Sequence, residues 1–329
     1  MMCRFTPNTK YSDIIHDPMF KAWEFMLDFQ RSDYSQEIEE LSLLELEQKM
    51  EWNAETMVEG ASYLYEACMD GNVFHSIWED HEPGTGKEMT GLAAFALNKP
   101  SRFVLICPGG GYSAVCCLLE GYSLAKKLNE MGYAAFVLSY RVEEKGQQPH
   151  PQEDVAQAVR YILQHKDQFN IVADDYAVIG FSAGAHVAGC YGTNDLGYTH
   201  YGLPKPAMIV LGYPVITMTE YTHPSSRENL FGMSKANDPK LIEKYSIEKH
   251  VTPAYPPTFL WQCEGDPMVP FQNSVLMHDA LVQAGVPHVY EVYPYNEHGL
   301  PNGATQYERD WVNRAVDFWK QQIEQDNTN

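Results

Sequence analysis

Long apolar runs are missing from this sequence of 329 residues. No stretch approaches the ~18 consecutive apolar residues that a membrane-spanning helix needs, so we expect no membrane partner. The N-terminal sequence MMCRFTPNTKYSDIIHD also lacks the basic and then apolar pattern of a secretory signal peptide. These two absences favour a cytoplasmic protein.

Basic residues are scarce. The sequence holds 23 lysines and arginines against 44 aspartates and glutamates, a formal net charge of −21. A chain this acidic repels the phosphates of nucleic acids, so we expect no nucleic-acid partner. The same charge argues against a strongly anionic substrate, although its simplest interpretation is that it keeps the protein soluble.

Cysteine patterns typical of metal sites or disulfide frameworks are also absent. The seven cysteines form no C-x-x-C pair and stand in no histidine-rich spacing. An odd number of thiols scattered through apolar segments fits reduced, buried side chains better than disulfides. We therefore predict no metal and no cofactor. The cysteines are Cys3, Cys68, Cys107, Cys116, Cys117, Cys190 and Cys263.

The first seventy residues carry no chemical motif but predict helices. Asp17-Pro18 favours a helix start, with a capping carboxylate before a proline. A second helical stretch is expected from about 36 to 68, with Gly60 as a point where it could break. We expect residues 1–70 to form an N-terminal helical extension. It serves either as a packing arm, on its own core or on a second copy in a homo-oligomer, or as a cap over an active-site mouth.

After residue 71 the pattern changes to short apolar strands that alternate with amphipathic helices. This alternation predicts a mostly parallel sheet with helices on both faces, formed by residues 71–329 as one α/β domain. Between about 216 and 252 the alternation stops, and this insertion is either a lid or a surface excursion. The expected strands are Val73–Trp78, Gly91–Leu97, Phe103–Cys107, Tyr133–Tyr140, Tyr176–Ile179, Ala207–Val215, Thr258–Cys263 and His288–Tyr293.

The sequence Gly180-Phe181-Ser182-Ala183-Gly184 lies between an apolar strand and a helix of small residues. A G-x-S-x-G pattern in this context predicts a sharp turn that exposes the serine hydroxyl at the end of the strand. The glycines on either side let the backbone pass through so tight a turn. Ser182 is therefore the candidate nucleophile.

A serine nucleophile needs a base and an orienting carboxylate. Asp266 and His298 each follow an apolar strand closely, in the chain order Ser, Asp, His. Because the carboxyl ends of parallel strands meet at one edge of the sheet, we expect these three side chains to converge. Glu264 and Asp279 compete with Asp266, but one belongs to a strand end and the other to a helix.

The oxyanion of the reaction also needs hydrogen-bond donors. The amide of Ala183, directly after the nucleophile, is one candidate. The run Gly109-Gly110-Gly111 follows an apolar strand, and its backbone amides can turn toward a reacting oxygen because no side chain shields them. Tyr112, Phe181 and Trp261 are candidates for the substrate pocket or for packing.

These motifs resemble those of the acetyl esterase/lipase branch of the α/β-hydrolases, notably bacterial xylan or sugar acetyl esterases. The similarity covers residues 101–300 and departs from the lipase-like pattern at Pro108, where relatives carry histidine. The motifs are PGGGY (108–112), YAAFVLSYRV (133–142), GFSAG (180–184), SSRENLFG (225–232), PPTFLWQCEGDPMVP (256–270) and NEHG (296–299).

The resemblance implies roles for the candidate residues. Ser182 is the nucleophile, His298 the base and Asp266 its partner. The donors to the oxyanion are Gly110, Gly111 and Ala183. The implied substrates are small-molecule esters with short acyl groups, chiefly acetyl groups on sugars or oligosaccharides. An amide hydrolase of the formamidase or peptidase type is the alternative within the fold, and a catalytically silent binding module is the alternative outside enzymes.

Overall fold

The computed structural model describes residues 4–28, 35–50, 52–79, 82–172, 175–300 and 304–326. Within these ranges one sheet of eight strands forms the centre of the molecule. Its strands are β1 (Phe74–Ser76), β2 (Gly91–Phe95), β3 (Phe103–Cys107), β4 (Ala134–Ser139), β5 (Ala177–Phe181), β6 (Met208–Gly212), β7 (Thr258–Cys263) and β8 (His288–Tyr293).

The strand order is β1-β2-β4-β3-β5-β6-β7-β8. β2 pairs antiparallel with β1 and β4, and every pair from β4 to β8 is parallel. The central strands β3 to β7 are buried along their whole length, as strands covered by helices on both faces must be. The sheet confirms the predicted α/β-hydrolase fold class.

Five short 3-10 segments of the described ranges carry no label, and the labelled helices surround the sheet. They are α1 (Tyr11–Ile15), α2 (Ser35–Glu39), α3 (Leu43–Met50), α4 (Ala54–Asp70), α5 (Cys117–Glu120), α6 (Tyr122–Glu130), α7 (His150–Gln164), α8 (Ala183–Tyr191), α9 (Pro224–Phe231), α10 (Pro239–Tyr245), α11 (Gln272–Ala284), α12 (Gln306–Arg309) and α13 (Trp311–Asp326). None of those in the described ranges combines the length and the apolar character that a membrane crossing requires.

The helix predicted to start at Asp17-Pro18 does not form. The chain makes successive turns there, followed by a 3-10 segment at Glu24–Met26. The Asp17 carboxylate accepts a hydrogen bond from the Met19 amide at 2.9 Å and pairs with Arg4. A short polar side chain bonded to an amide two residues ahead stabilises a turn in place of a helix.

The second predicted helical stretch is divided into α2, α3 and α4. The Asn53 side chain caps α4 by accepting from the Thr56 amide at 2.7 Å. Gly60 does not break α4. A Cβ at Gly60 would lie 3.2 Å from the Tyr122 Cβ, so this glycine lets α4 approach α6 closely.

The N-terminal helices dock on the chain's own sheet domain. The Tyr63 hydroxyl donates to Asn129 Oδ1 at 2.5 Å, and the Tyr122 hydroxyl donates to the Met26 carbonyl at 2.7 Å. Apolar side chains of α1, α3 and α4 belong to the same buried cluster as those of the sheet. No disulfide joins the cysteines of the described ranges, and Cys3 lies outside those ranges.

Residues 216–252 pack on the core through α9, α10 and the segments around them. Asn273 Oδ1 accepts the amides of Ile216 and Thr217 at 2.9 and 3.1 Å. The Asn229 side chain donates to the Gly111 carbonyl at 2.8 Å. This insertion therefore contacts the glycine loop after β3, at the edge of the sheet where the candidate site lies.

Candidate active site

Ser182 sits in a strained turn between β5 and α8. Its φ of 53° and ψ of −120° are sparsely populated by residues other than glycine. A Cβ at Gly180 would lie 2.3 Å from the Gly184 carbonyl oxygen, and one at Gly184 would lie 2.1 Å from the Cys107 carbonyl oxygen. Only glycine fits at both positions. The turn is the nucleophile elbow that the G-x-S-x-G pattern predicts.

The structure brings the three candidate catalytic side chains together. His298 Nε2 lies 3.0 Å from Ser182 Oγ, and His298 Nδ1 lies 2.8 Å from Asp266 Oδ2. A carboxylate only accepts hydrogen bonds, so Nδ1 carries the proton and Nε2 accepts the serine hydroxyl. This is the arrangement in which the imidazole can remove the serine proton.

Asp266 is held by the loop after β7. Its Oδ1 accepts the amides of Met268 and Val269 at 2.9 and 3.0 Å, and its Oδ2 also accepts the Gln262 side-chain amide at 3.1 Å. The competing carboxylates Glu264 and Asp279 are exposed to solvent. The carboxylate that orients His298 is therefore that of Asp266.

The glycine loop supplies amides beside Ser182. Gly110 and Gly111 line the same pocket, with φ angles of 128° and 64° that favour glycine. Among the described residues their amides donate no hydrogen bond. Ala183 is the first residue of α8, so its amide has no acceptor within the helix. All three predicted donors remain available for an oxyanion.

Comparison with known proteins identifies the family. Residues 96–281 match the family model described as BD-FAE. This chain belongs to the BD-FAE family. Its relatives include acetylxylan esterases and carboxylesterases of the α/β-hydrolase fold, as the sequence resemblance implied.

Two curated relatives are similar over more than half of this chain. Endo-1,4-beta-xylanase B of Butyrivibrio fibrisolvens is 35% identical over 218 residues, which cover 63% of this chain and 34% of that protein. The acetylxylan esterase of Xylanibacter ruminicola is 32% identical over 239 residues, which cover 70% of this chain and 48% of that protein. The chain therefore spans less than half of the length of either relative.

A solved structure is similar over almost its whole length. The acetyl ester-xyloside bifunctional hydrolase of Caldicellulosiruptor lactoaceticus is 30% identical, with a TM-score of 0.65. The match covers 75% of this chain and 95% of that one. The first 95 residues of this BD-FAE member lie outside the segment that the family model matches.

Sequence reasoning missed Glu120, a half-buried glutamate that lines the pocket of this BD-FAE member. It accepts a hydrogen bond from the Gly109 amide through Oε2 and one from the Tyr213 hydroxyl through Oε1, the latter at 2.6 Å. Burial raises the pKa of Glu120, against the lowering effect of the Tyr213 and Gly109 hydrogen bonds. Its signal in the sequence was its position as a charged residue directly after the apolar run Cys116–Leu119.

Tyr213 connects this carboxylate to the candidate base. Its ring packs against the His298 imidazole at a centroid distance of 4.7 Å, nearly perpendicular. Its backbone has a φ of 36°, a left-handed conformation uncommon for a tyrosine, directly after β6. The position of the His298 ring thus depends on Tyr213 as well as on Asp266.

The prediction that Tyr112 contacts substrate is corrected by the structure. Its side chain is fully buried and does not line the pocket. It points into the interior because its hydroxyl pairs with His186 Nδ1 at 2.7 Å. Phe181 and Trp261 do line the pocket, where they pack with Tyr213 and Trp311 as a cluster of buried rings.

The pocket above Ser182 has a volume of about 910 Å³. Its walls come from the glycine loop, α5 and α6, the loops carrying Asp266 and His298, the start of α13, and the N-terminal residues 50–59. No cluster of three or more metal-ligating side chains occurs in the part of the chain that the structure describes.

Proposed function

We propose that this BD-FAE protein is a serine carboxylesterase that removes short acyl groups, chiefly acetyl, from sugars or oligosaccharides. The observation that carries the proposal is the hydrogen-bonded series Ser182, His298, Asp266, with distances of 3.0 and 2.8 Å. The names of the xylan-acting relatives support acetylated xylo-oligosaccharides as the substrate class.

The reaction begins when Ser182 Oγ attacks the ester carbonyl carbon. His298 Nε2 takes the hydroxyl proton, and the Asp266 carboxylate stabilises the imidazolium that forms. The carbonyl oxygen becomes an oxyanion that accepts hydrogen bonds from the amides of Gly110, Gly111 and Ala183.

Collapse of the tetrahedral intermediate breaks the bond between the carbonyl carbon and the alcohol oxygen. His298 returns its proton to that oxygen, and the free sugar hydroxyl leaves. Ser182 is left as an acetyl ester. A water molecule then attacks the acyl carbon with His298 as base, which releases acetate and regenerates the serine hydroxyl.

The pocket suits an acetylated sugar. Next to Ser182 the rings of Phe181, Trp261 and Trp311 are buried and packed against each other, which leaves apolar surface for a small methyl group. The remaining volume of the 910 Å³ pocket is far more than an acetyl group fills and opens to solvent, where an oligosaccharide can extend.

The test is acetate release from acetylated xylo-oligosaccharides by the wild type and by Ser182→Ala. We expect release by the wild type and a loss of roughly 10⁶-fold in kcat in the variant, as for other serine triads. Turnover of a p-nitroanilide panel without turnover of esters would favour an amide hydrolase. A folded wild type that neither turns over substrate nor reacts with a serine-directed phosphonate would indicate a binding module.

A further inference from the structure

One wall of the pocket comes from a segment that precedes the family match. The end of α3 and the start of α4 contribute six lining residues: Met50, Trp52, Asn53, Glu55, Thr56 and Glu59. The BD-FAE match begins only at residue 96. The catalytic domain thus has an added wall on the side of α5 and α6, against which α4 packs.

This wall is fixed to the catalytic domain. The Glu59 carboxylate accepts hydrogen bonds from Ser123 Oγ at 2.5 Å and from Lys126 Nζ at 2.6 Å. One helical turn further, Tyr63 donates to Asn129. Both anchors tie α4 to α6, so the start of α4 and residues 52 and 53 before it hold their position relative to the glycine loop that precedes α5.

The chemistry of this wall differs from that of the pocket floor, which Phe181 and Trp261 form beside Ser182. On the floor, Phe181 and Trp261 are 5% and 1% exposed, and both are aromatic side chains that carry no charge. The added wall is mixed in chemistry and in exposure, because Trp52, Asn53 and Thr56 are half-buried whereas Glu55 is exposed. It combines the indole of Trp52, the amide of Asn53, the carboxylate of Glu55 and the hydroxyl of Thr56.

A sugar ring combines apolar and polar surface, as this wall does. Its C–H faces are apolar and pack on aromatic side chains, whereas its hydroxyls need hydrogen-bond donors and acceptors around the rim. We propose that residues 50–59 form a binding site for the sugar that carries the acyl group, with Trp52 as its principal apolar contact. This inference rests on the proposed esterase function and names the residues that select the alcohol part of the substrate.

The first experiment compares two substrates. Trp52→Ala should lower the ratio of kcat/KM for acetylated xylo-oligosaccharides to that for p-nitrophenyl acetate by about tenfold, mostly through KM. The reason is that p-nitrophenyl acetate has no sugar ring to contact the wall. Trp52→Phe, which keeps an aromatic ring, should recover most of the ratio.

Tyr65→Ala is the matched control. Tyr65 is a half-buried aromatic residue of α4, the helix that follows Trp52, and it packs on Phe5 and Phe20, away from the pocket. We expect this variant to keep the wild-type ratio. An equal fall on both substrates in Trp52→Ala would assign Trp52 a structural role only and overturn the proposal, as would an unchanged ratio.

The second experiment does not depend on turnover. Calorimetry with unacetylated xylo-oligosaccharides measures sugar binding by Ser182→Ala and by the double variant Ser182→Ala/Trp52→Ala. A dissociation constant raised about tenfold in the double variant supports the site even if the wild type hydrolyses no ester, which would reject the esterase function alone. Equal binding by both proteins, or no binding by either, overturns the sugar site even if p-nitrophenyl acetate is hydrolysed.

Discussion

The carboxylate of Glu120 accepts a hydrogen bond from the amide of Gly109, the first residue of the glycine loop beside Ser182. A Cβ at Gly109 would lie 2.9 Å from Ser182 Cβ and 3.1 Å from Glu120 Oε2, so all three groups meet at one point. Because this bond uses the amide of Gly109, the next two amides of the loop are left for the oxyanion.

Replacing Glu120 with glutamine should reduce catalysis. The single carbonyl oxygen of the amide can accept from Gly109, but the NH2 group that replaces the other oxygen can meet Tyr213 only if that hydroxyl turns from donor to acceptor. The support of the glycine loop and of the ring beside His298 is therefore weakened. We expect kcat/KM for p-nitrophenyl acetate to fall by roughly 10- to 100-fold. Direct loss of one oxyanion donor lowers kcat by roughly 100- to 1000-fold, and Glu120 acts on the donors only indirectly. Steady-state kinetics on protein of verified melting temperature provides the measurement.

Glu144→Gln serves as its control, since this glutamate is exposed and lies outside the active-site pocket. It should keep wild-type kinetics. Wild-type kcat/KM in Glu120→Gln would show that the hydrogen bonds of Glu120 do not hold the catalytic geometry.

The buried histidine of α8 should make the fold acid-sensitive. His186 Nε2 donates to the Tyr245 carbonyl at 2.8 Å, and Nδ1 accepts the Tyr112 hydroxyl. Burial lowers the pKa of His186 from 6.5 to about 4. Its neighbours Tyr112 and Cys190 stay neutral in acid, because burial raises the pKa of each.

The direction of this pH effect follows from the difference between the pKa of His186 in the folded chain and in the unfolded chain. Below pH 6.5 the unfolded chain binds a proton at this histidine that the folded chain refuses, so stability is lost as the pH falls toward 4. The loss amounts to roughly 3 kcal/mol, from 1.36 kcal/mol for each pKa unit. Urea unfolding at pH 7 and pH 4 of the wild type and of His186→Gln measures it.

Glutamine at 186 keeps one donor and one acceptor but does not titrate. Between pH 7 and pH 4 we therefore expect the free energy of unfolding to fall less in His186→Gln than in the wild type. The difference should be roughly 3 kcal/mol, the contribution of His186. The other titrating groups are shared by both proteins and cancel in the comparison. An equal loss in the two proteins would exclude His186 as the source.

Removal of the N-terminal segment should expose apolar surface. A chain that begins at Gly71 lacks Leu46, Met57 and Leu64, which are fully buried in the intact protein. Burial of each such side chain contributes roughly 1.5–3 kcal/mol, so the shortened chain should melt at a lower temperature and aggregate. Melting curves and light scattering measure this, and a monodisperse shortened chain of unchanged melting temperature would contradict the contacts between α4 and α6.

Activity should not depend on a metal ion. In the proposed mechanism His298 takes the serine proton, and no step of that mechanism uses a metal ion. Dialysis against EDTA should leave the rate of p-nitrophenyl acetate hydrolysis unchanged. Loss of activity that a divalent cation restores would require a different mechanism.

The sequence alone determined the elements whose signals are local. Apolar runs placed β3 and β7 at their observed residues, because a strand buried on both faces leaves a continuous apolar pattern. The glycines around Ser182 predicted the sharp turn because their steric requirement acts over two or three residues. The same local patterns placed Asp266 and His298 after strands, and a parallel sheet brings such strand ends to one edge.

Only the tertiary structure decided how residues distant in the sequence meet. Glu120 and Tyr213 are 93 residues apart, and no periodicity relates them. The burial of Tyr112 depended on a partner in α8, and the wall at residues 50–59 depended on how α4 docks on α6. Such contacts are set by the packing of whole elements, whereas propensity and spacing describe only neighbours along the chain.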